Sequence, residues 1–239
     1  MHVEVIPTIT EAKSDQFHNK TAIVIDVLHT TSTITTALEH QCSEIIPVET
    51  VSQALKLQKH KTTLLCGERY GKKVTHFDLG NSPLEYEEDV VKNKKIVITT
   101  TNGTRAIQKS LKATHILAGS FLNGRACAQA AKQLKRDIIM VCAGTQDEFS
   151  IEDGLCAGFL ISELEHCFQD HIHLNDFALA MKAAYQQEKN NLLEFLLESK
   201  NGSKVQREEK VEELKMLTRH NCYNTVPYVT DDRMVKFPF

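Results

Sequence analysis

Six short apolar runs, rich in β-branched residues, restrict the fold of this chain more than any other feature. They are "TAIVIDVL" (21–28), "SEIIPV" (43–48), "TTLLCGE" (62–68), "KKIVITTT" (94–101), "THILAG" (114–119) and "DIIMVCAG" (137–144). Each has strand length, and their nearly unbroken apolar character suits strands covered on both faces. Helix-forming stretches lie between and after them, at 32–41, 51–60, 103–111, 122–135 and 153–168. Strands alternating with helices predict an α/β fold: a three-layer α/β/α arrangement around a mostly parallel or mixed sheet.

The character changes after residue 170. "DFALAMKAAYQQEKNNLLEFLLES" (176–199) reads as helix, "KNGSK" as a turn, and "REEKVEELKMLTRHN" (207–221) as a charged amphipathic helix with Val211, Leu214 and Leu217 on one face. A cap on the main core and a separate lobe both fit this pattern. No low-complexity or proline-rich linker marks a boundary. The expectation is one α/β domain over 1–239, with a C-terminal helical segment, 170–225, packed as a cap on the same core.

Composition narrows the function classes. With 239 residues, 41% apolar and 25% charged, the chain can bury a core of ordinary size. The net charge is −3 and no basic stripe runs along the sequence, which argues against a nucleic-acid partner. An anionic substrate would therefore need local cations or a metal. The seven cysteines include no Cys-x-x-Cys pair and several sit in apolar runs, so buried reduced thiols are expected. The start, "MHVEVIPTIT", does not read as a leader, and no stretch approaches membrane-spanning length. The expectation is a soluble cytoplasmic protein with no membrane partner.

Three strands end in polar residues and hand over to a helix: "AIVIDVLHTTSTITTAL", "IVITTTNGTRAI" and, through a longer loop, "IMVCAGTQDEFSIEDGLCAGFL". In α/β sheets ligands bind outside the carboxyl ends of strands, so parallel strands would bring these turns to one rim. In the second turn Thr100, Thr101 and Thr104 offer hydroxyls, Asn102-Gly103 permits close backbone approach, and Arg105 offers a planar fork. Two readings fit it: an anion cradle at a helix start, or a capped strand–helix turn with Arg105 in an ordinary ion pair. Asp26 and Glu68 close apolar strands, and Glu152 and Asp153 open a helix. Carboxylates so placed either hold a hard divalent cation or bond to neighbouring loops and caps. "HFDLGNSPLEY" (76–86) is a stiff turn rich in donors and acceptors, better suited to bonding with itself than to holding a ligand. His166, His171 and His173 match no zinc spacing and read as surface residues. His29 stands apart because it follows Asp26 in the first polar turn.

Six segments in one order, "VIDVLHTTSTITTAL", "CGERYG", "FDLGNSPLEY", "TTTNGTRA", "GSFLNGRA" and "VCAGTQDEFSIEDGLCAG", closely resemble the 2-phosphosulfolactate phosphatase family over roughly residues 20–165. The resemblance implies a magnesium-dependent phosphatase that converts 2-phospho-3-sulfolactate to sulfolactate and phosphate, in a soluble homo-oligomer, with a dimer expected. The chain departs from the family pattern at His29, where arginine is usual, at His76, and through its C-terminal third. The resemblance leaves open a phosphate monoester of another small acid.

On this reading Asp26, Glu68 and Asp153 are the catalytic set, and Asp26 and Glu68 hold Mg²⁺ with help from Glu152 or Asp153. The substrate-binding set is His29, Asn81, Ser82, Thr100, Thr101, Asn102, Gly103, Thr104, Arg105, Ser120 and Asn123. A metal-activated water is favoured over Asp26 as the attacking group, because aspartate-nucleophile phosphatases carry a second aspartate two residues on and this chain has Leu28. The competing classes are a non-catalytic phosphometabolite-binding module and a metal-dependent lyase or isomerase of a phosphorylated acid. Phosphate release separates them from a phosphatase.

Overall fold

A computed structural model of the chain describes residues 1–58, 62–168 and 171–239. Its strands are β1 (His2–Ile6), β2 (Thr21–Ile25), β3 (Glu44–Pro47), β4 (Thr63–Arg69), β5 (Lys72–Lys73), β6 (Lys95–Thr99), β7 (His115–Gly119), β8 (Ile138–Cys142), β9 (His173–Leu174), β10 (Pro227–Thr230) and β11 (Arg233–Lys236). Its helices are α1 (Thr30–Glu39), α2 (Val51–Leu57), α3 (Glu88–Val91), α4 (Gly103–Lys109), α5 (Gly124–Leu134), α6 (Ile151–Cys167), α7 (Asp176–Glu188), α8 (Leu192–Leu197), α9 (Lys200–Arg207) and α10 (Val211–Leu217). Residues 59 and 60 of the helix expected at 51–60, and residue 170, where the helical segment was expected to begin, lie outside the described residues. The α/β class and the mixed sheet agree with the sequence reading.

The strand order is β5-β4-β6-β3-β11-β10-β7-β2-β8-β1-β9. It contains two parallel blocks. One is β4, β6 and β3; the other is β7, β2, β8, β1 and β9. The β10–β11 hairpin joins them through three antiparallel contacts, so the blocks run in opposite senses along the sheet. Adjacent strands twist by roughly 20–25°. Over the five steps from β2 to β6 the twist reaches on the order of 100°, and the blocks cross instead of opposing.

Side-chain alternation shows how the sheet is covered. Ala22 and Val24 of β2 and Ile139 and Val141 of β8 face a core shared with Ile34 and Leu38 of α1, Ile107 of α4, and Leu64, Ile96 and Ile98 of the other block. Helices α1 and α4 therefore lie inside the curl of the sheet. The opposite faces point outward. Ile23, Ile25, Met140 and Cys142 pack under α5 and α6, whereas Leu65 and Val97 pack with Ala54 of α2 and Phe77. Strands covered on both sides explain why "TAIVI" and "IIMVC" are buried at every position. The β5 edge is two exposed lysines, which discourages further strand pairing.

Helix α1 is buried yet polar. Thr30, Thr31, Ser32, Thr33, Thr35 and Thr36 are all shielded from solvent. Their hydroxyls stay paired because Thr35 and Thr36 donate to the carbonyls of Thr31 and Ser32 one turn back, at 2.7 and 2.9 Å. Thr31 donates to the Asp26 carbonyl at 2.8 Å and Ser32 to that of Val27 at 3.0 Å. Small side chains with locally satisfied hydroxyls let one helix sit between two sheet blocks.

The C-terminal third differs from the sequence reading in two places. "KNGSK" is not a turn but the body of α9. Ser199 caps it by accepting from the Gly202 N–H at 3.0 Å, and a Cβ at Gly202 would meet the Leu196 carbonyl at 1.8 Å, so only glycine lets α9 pack on α8. The chain then returns to the sheet as β10 and β11, which the helical reading missed. Asp231 and Asp232 carry φ of 47° and 62°, the two left-handed residues of a tight hairpin turn. Leu192, Leu196, Val205 and Leu214 of α8–α10 share an apolar cluster with Ile23 and Met140. Among the described residues all seven cysteines are free thiols, five of them buried. None of the described helices is long and apolar enough to cross a membrane.

Candidate functional site

The curl of the sheet brings the ends of β2, β4, β6 and β8 towards one cleft of about 320 Å³. Asp26 lies on its floor, directly after β2 and ahead of α1. The start of α4 presses on it: a Cβ at Gly103 would fall 2.2 Å from Asp26 Oδ2 and 2.3 Å from Thr30 Cβ. The "NG" of the second polar turn is thus explained by contact between two helix starts. Thr30 Oγ1 joins the same starts by donating to Thr100 Oγ1 at 3.1 Å.

The acids separate into two kinds. Asp26 and Glu68 line the cleft. Asp153 and Glu152 are buried behind it. Asp153 Oδ1 accepts from the Val27 N–H at 2.9 Å and Oδ2 from the Gly144 N–H at 3.0 Å, tying the ends of β2 and β8 together. Glu152 Oε1 accepts from Asn201 of α9 at 2.6 Å, which fastens the C-terminal helices to the floor. Glu68 is oriented by the Thr101 N–H at 2.7 Å, the Thr101 hydroxyl at 3.1 Å and the Gly71 N–H at 2.7 Å.

Burial, and then the negative charges of Glu68 and Glu152, push the Asp26 carboxyl up to about 7, although bonding to Thr30 opposes this. Burial also raises Glu152, and it raises Asp153 well above the usual carboxylate range, with Asp26 and Glu152 adding to the effect. The floor thus gathers carboxyls whose ionised forms no cationic side chain among the described residues offsets, so they hold their protons more tightly than free carboxyls do. Among the described residues no three His, Cys, Asp or Glu side chains stand together as a metal-holding group. The donor set matches the sparser magnesium pattern, in which one or two carboxylates share the ion with water and substrate oxygens. Asp26 and Glu68 have the required access. Backbone N–H groups engage both oxygens of Asp153 and both of Glu68, so what separates the two is that Glu68 lines the cleft and Asp153 does not.

The expected substrate-binding residues divide in the same way. His29, Asn81, Ser82, Thr101 and Asn102 line the cleft. Thr100 and Thr104 lie behind the wall and cap each other: the Thr104 N–H donates to Thr100 Oγ1 at 3.0 Å and the Thr100 N–H to Thr104 Oγ1 at 3.1 Å. The "TTTNGTR" turn is therefore built mainly as a cap and as a holder of Glu68, with the donors of Thr100, Thr101 and Thr104 engaged in that work. Arg105 is not brought to the cleft. Its guanidinium is 44% exposed and pairs with Asp147 at 2.7 Å. Ser120 and Asn123 are also elsewhere. Both are fully buried, and Asn123 accepts from the Ser120 N–H at 2.9 Å while donating to the carbonyls of Ala118 and Thr225 at 3.1 Å each. They close the turn after β7 onto the irregular segment that leads into the β10–β11 hairpin.

The segment 80–82 bonds partly to itself and partly to α1. Tyr86 donates to the Gly80 carbonyl at 2.8 Å, and Thr33 to that of Asn81 at 2.6 Å. Asn81 Oδ1, His29 Nε2 and Glu213 Oε1 are buried atoms without a hydrogen-bond partner. All three residues line the cleft, and His29 Nε2 stands 3.5 Å from Glu213 Oε1. Burial drives the His29 pKa down more strongly than Glu213 draws it up. A protonated His29 matching the family's arginine is therefore disfavoured while the cleft holds no anion.

Sequence reading missed the opposite wall. Lys73 of β5, Asn201 and Lys204 of α9, Glu208, and Lys210 and Glu213 at α10 all line the cleft. No local signal marks them, because each belongs to a charged helix or edge strand that reads as a solvated face.

A family model described as 2-phosphosulpholactate phosphatase matches residues 6–232. The chain is 46% identical over 191 residues to a probable 2-phosphosulfolactate phosphatase of Clostridium acetobutylicum, covering 78% of this chain and 80% of the relative. A protein of the same description from Thermotoga petrophila is 40% identical over 208 residues, 87% of this chain and 88% of its own length. One from Clostridium botulinum is 34% identical over 239 residues, 99% of this chain and the whole of the relative.

Proposed function

The chain belongs to the 2-phosphosulpholactate phosphatase family, and from that membership and the acidic cleft floor we propose that it hydrolyses 2-phospho-3-sulfolactate to 3-sulfolactate and phosphate with Mg²⁺. The observation that carries the reading is Asp26: a buried carboxylate at the meeting of two helix starts, facing the cleft beside Glu68. The relatives' names supply the substrate.

Asp26 and Glu68 would hold the magnesium ion, which supplies positive charge to the phosphoryl oxygens when bound. The protein's own part is positioning. Thr101 and Gly71 fix Glu68, and Gly103 lets the α4 start close over Asp26. Asn81, Ser82 and Asn102 offer uncharged polar groups to the substrate along the wall. Water is the attacking group in this reading, because the residue two after Asp26, where aspartate-nucleophile phosphatases carry a second aspartate, is the apolar Leu28. Phosphoenzyme trapped with labelled substrate would reverse that choice.

The direct test is phosphate release from synthetic 2-phospho-3-sulfolactate. Turnover should stop in excess chelator and return with Mg²⁺. Release undiminished in metal-free protein would remove magnesium from the reading. A new product without phosphate release would favour a lyase or isomerase.

A further inference from the structure

The cleft wall opposite Asp26 carries a feature that the phosphatase reading leaves unused. Glu208 lies between two lysines of the C-terminal helices. Its Oε2 is 2.8 Å from Lys210 Nζ and its Oε1 is 3.9 Å from Lys204 Nζ. All three line the cleft, so this is one carboxylate held between two ammonium groups in the wall of a binding cavity. Lys210 and Lys204 hold Glu208 below the ordinary carboxylate range, with hydrogen bonding to Lys210 the main cause, so the carboxylate is ionised when it occupies that place. Among the described lining residues the only cations besides Lys204 and Lys210 are Lys73, whose ammonium already donates to the Asp78 carbonyl at 3.2 Å, and His29 when protonated.

The proposed substrate brings more than a phosphate. Its sulfonate is a weakly basic anion spread over three oxygens, a poor ligand for a hard cation and a good partner for ammonium groups. Its phosphate and carboxylate are the better magnesium ligands. The acidic floor and the lysine-bearing wall therefore sort the anionic groups by chemistry.

We propose that Lys204 and Lys210 are the specificity-determining cations of the cleft, that they receive the substrate's sulfonate, and that Glu208 is an internal stand-in which the sulfonate displaces. This rests on the phosphatase reading. It assigns the selection of substrate to α9 and α10, and makes Glu208 a competitor whose removal strengthens binding.

The test compares 2-phospho-3-sulfolactate with 2-phospholactate, which lacks only the sulfonate, in the full-length protein with Mg²⁺. Lys204→Met and Lys210→Met keep the aliphatic stem and remove the charge. Each should raise KM for the sulfonated substrate about five- to twentyfold more than KM for phospholactate, with the larger effect in kcat/KM than in kcat. Lys→Arg at either position should recover part of the difference. Glu208→Gln should lower KM for the sulfonated substrate about two- to fivefold, a gain that a merely structural ion pair would not give. Equal changes for both substrates, or a Glu208→Gln variant that binds the sulfonated substrate more weakly, would overturn the assignment. Native-like thermal unfolding of each variant separates loss of a contact from loss of fold. Wild-type protein that releases phosphate from neither compound would instead overturn the phosphatase reading itself. If the Asp26 floor works and the lysine variants show no substrate difference, only the present inference fails.

Discussion

The two walls of the cleft are built differently. The floor is a closed hydrogen-bonded assembly: threonines cap one another, backbone N–H groups fill both oxygens of Asp153, and glycine separates Asp26 from the α4 start by direct contact. The rim from α9 and α10 is half-exposed lysine and glutamate in solvent-facing ion pairs, one of 2.8 Å and one of 3.9 Å. Positioning for chemistry needs the first kind of construction, because a buried charge tolerates little displacement. Choosing among similar anions suits the second, because solvated charges exchange partners at small cost.

If the floor is the reactive half, the largest effects lie there. Asp26→Asn should lower phosphate release on the order of 10³-fold. The same variant tests the floor without substrate. The Asp26 carboxyl is pushed from the usual 3.8 up to about 7 in the folded protein, so the fold binds that proton more tightly than the unfolded chain does. Stability from this group is complete below about pH 4 and is lost as the pH rises through 7. Metal-free Asp26→Asn should therefore show a flatter pH dependence of Tm across that window than wild type. Unchanged slopes would mean that Asp26 is not the strained acid of the floor.

Gly103→Ala comes next. A methyl group placed 2.2 Å from Asp26 Oδ2 must push apart α4 and α1, at a cost of about 1–3 kcal/mol in urea unfolding. An unaffected midpoint would show that the floor is looser than the rim comparison requires.

His29 joins floor to rim through Glu213, and should show an intermediate effect. Its folded pKa lies below the unfolded value of 6.5, so its contribution to stability is present above pH 6.5 and lost as pH falls through the folded value. His29→Gln should flatten the acid side of the stability profile below pH 6.5, opposite in sign to Asp26→Asn. Thermal unfolding of the substrate-free protein at closely spaced pH values checks this.

Arg105→Ala should do least. An exposed pair with Asp147 is worth about 0–1 kcal/mol, and kcat/KM should stay within about threefold of wild type. A large rise in KM would move Arg105 back to the substrate, as its sequence position first implied.

The contrast between floor and rim also sets what could be read from sequence. The strands at 21–25, 95–99 and 138–142 were legible because burial on both faces leaves an unbroken apolar run. Asp26 and Glu68 were legible as acids ending such runs, and the six ordered motifs placed the chain in its family. Arg105, Ser120 and Asn123 were misplaced for a physical reason: a donor after a strand looks the same whether it caps a turn, pairs with a surface acid or faces a ligand. "KNGSK" reads as a turn until Leu196 is seen to demand glycine at 202. The "DD" between "YVT" and "RMVK" was a hairpin signal obscured by the helical composition before it. Lys204, Lys210 and Glu208 left no trace, because only tertiary packing turns a solvated helix face into the wall of a cleft.

The β10–β11 hairpin has a consequence for how the molecule comes into being. In chain order it follows every strand it joins, and it is the only bridge in the sheet between the β7 and β3 edges among the described residues. On a ribosome, both parallel blocks can be assembled while those edges are still open, because the segment that covers them emerges after all of their strands. The site depends on the curl that this segment closes, so the floor should reach its final form only after both halves are in place. The same two edges are where a nascent chain is most exposed to pairing with a neighbour instead of with itself.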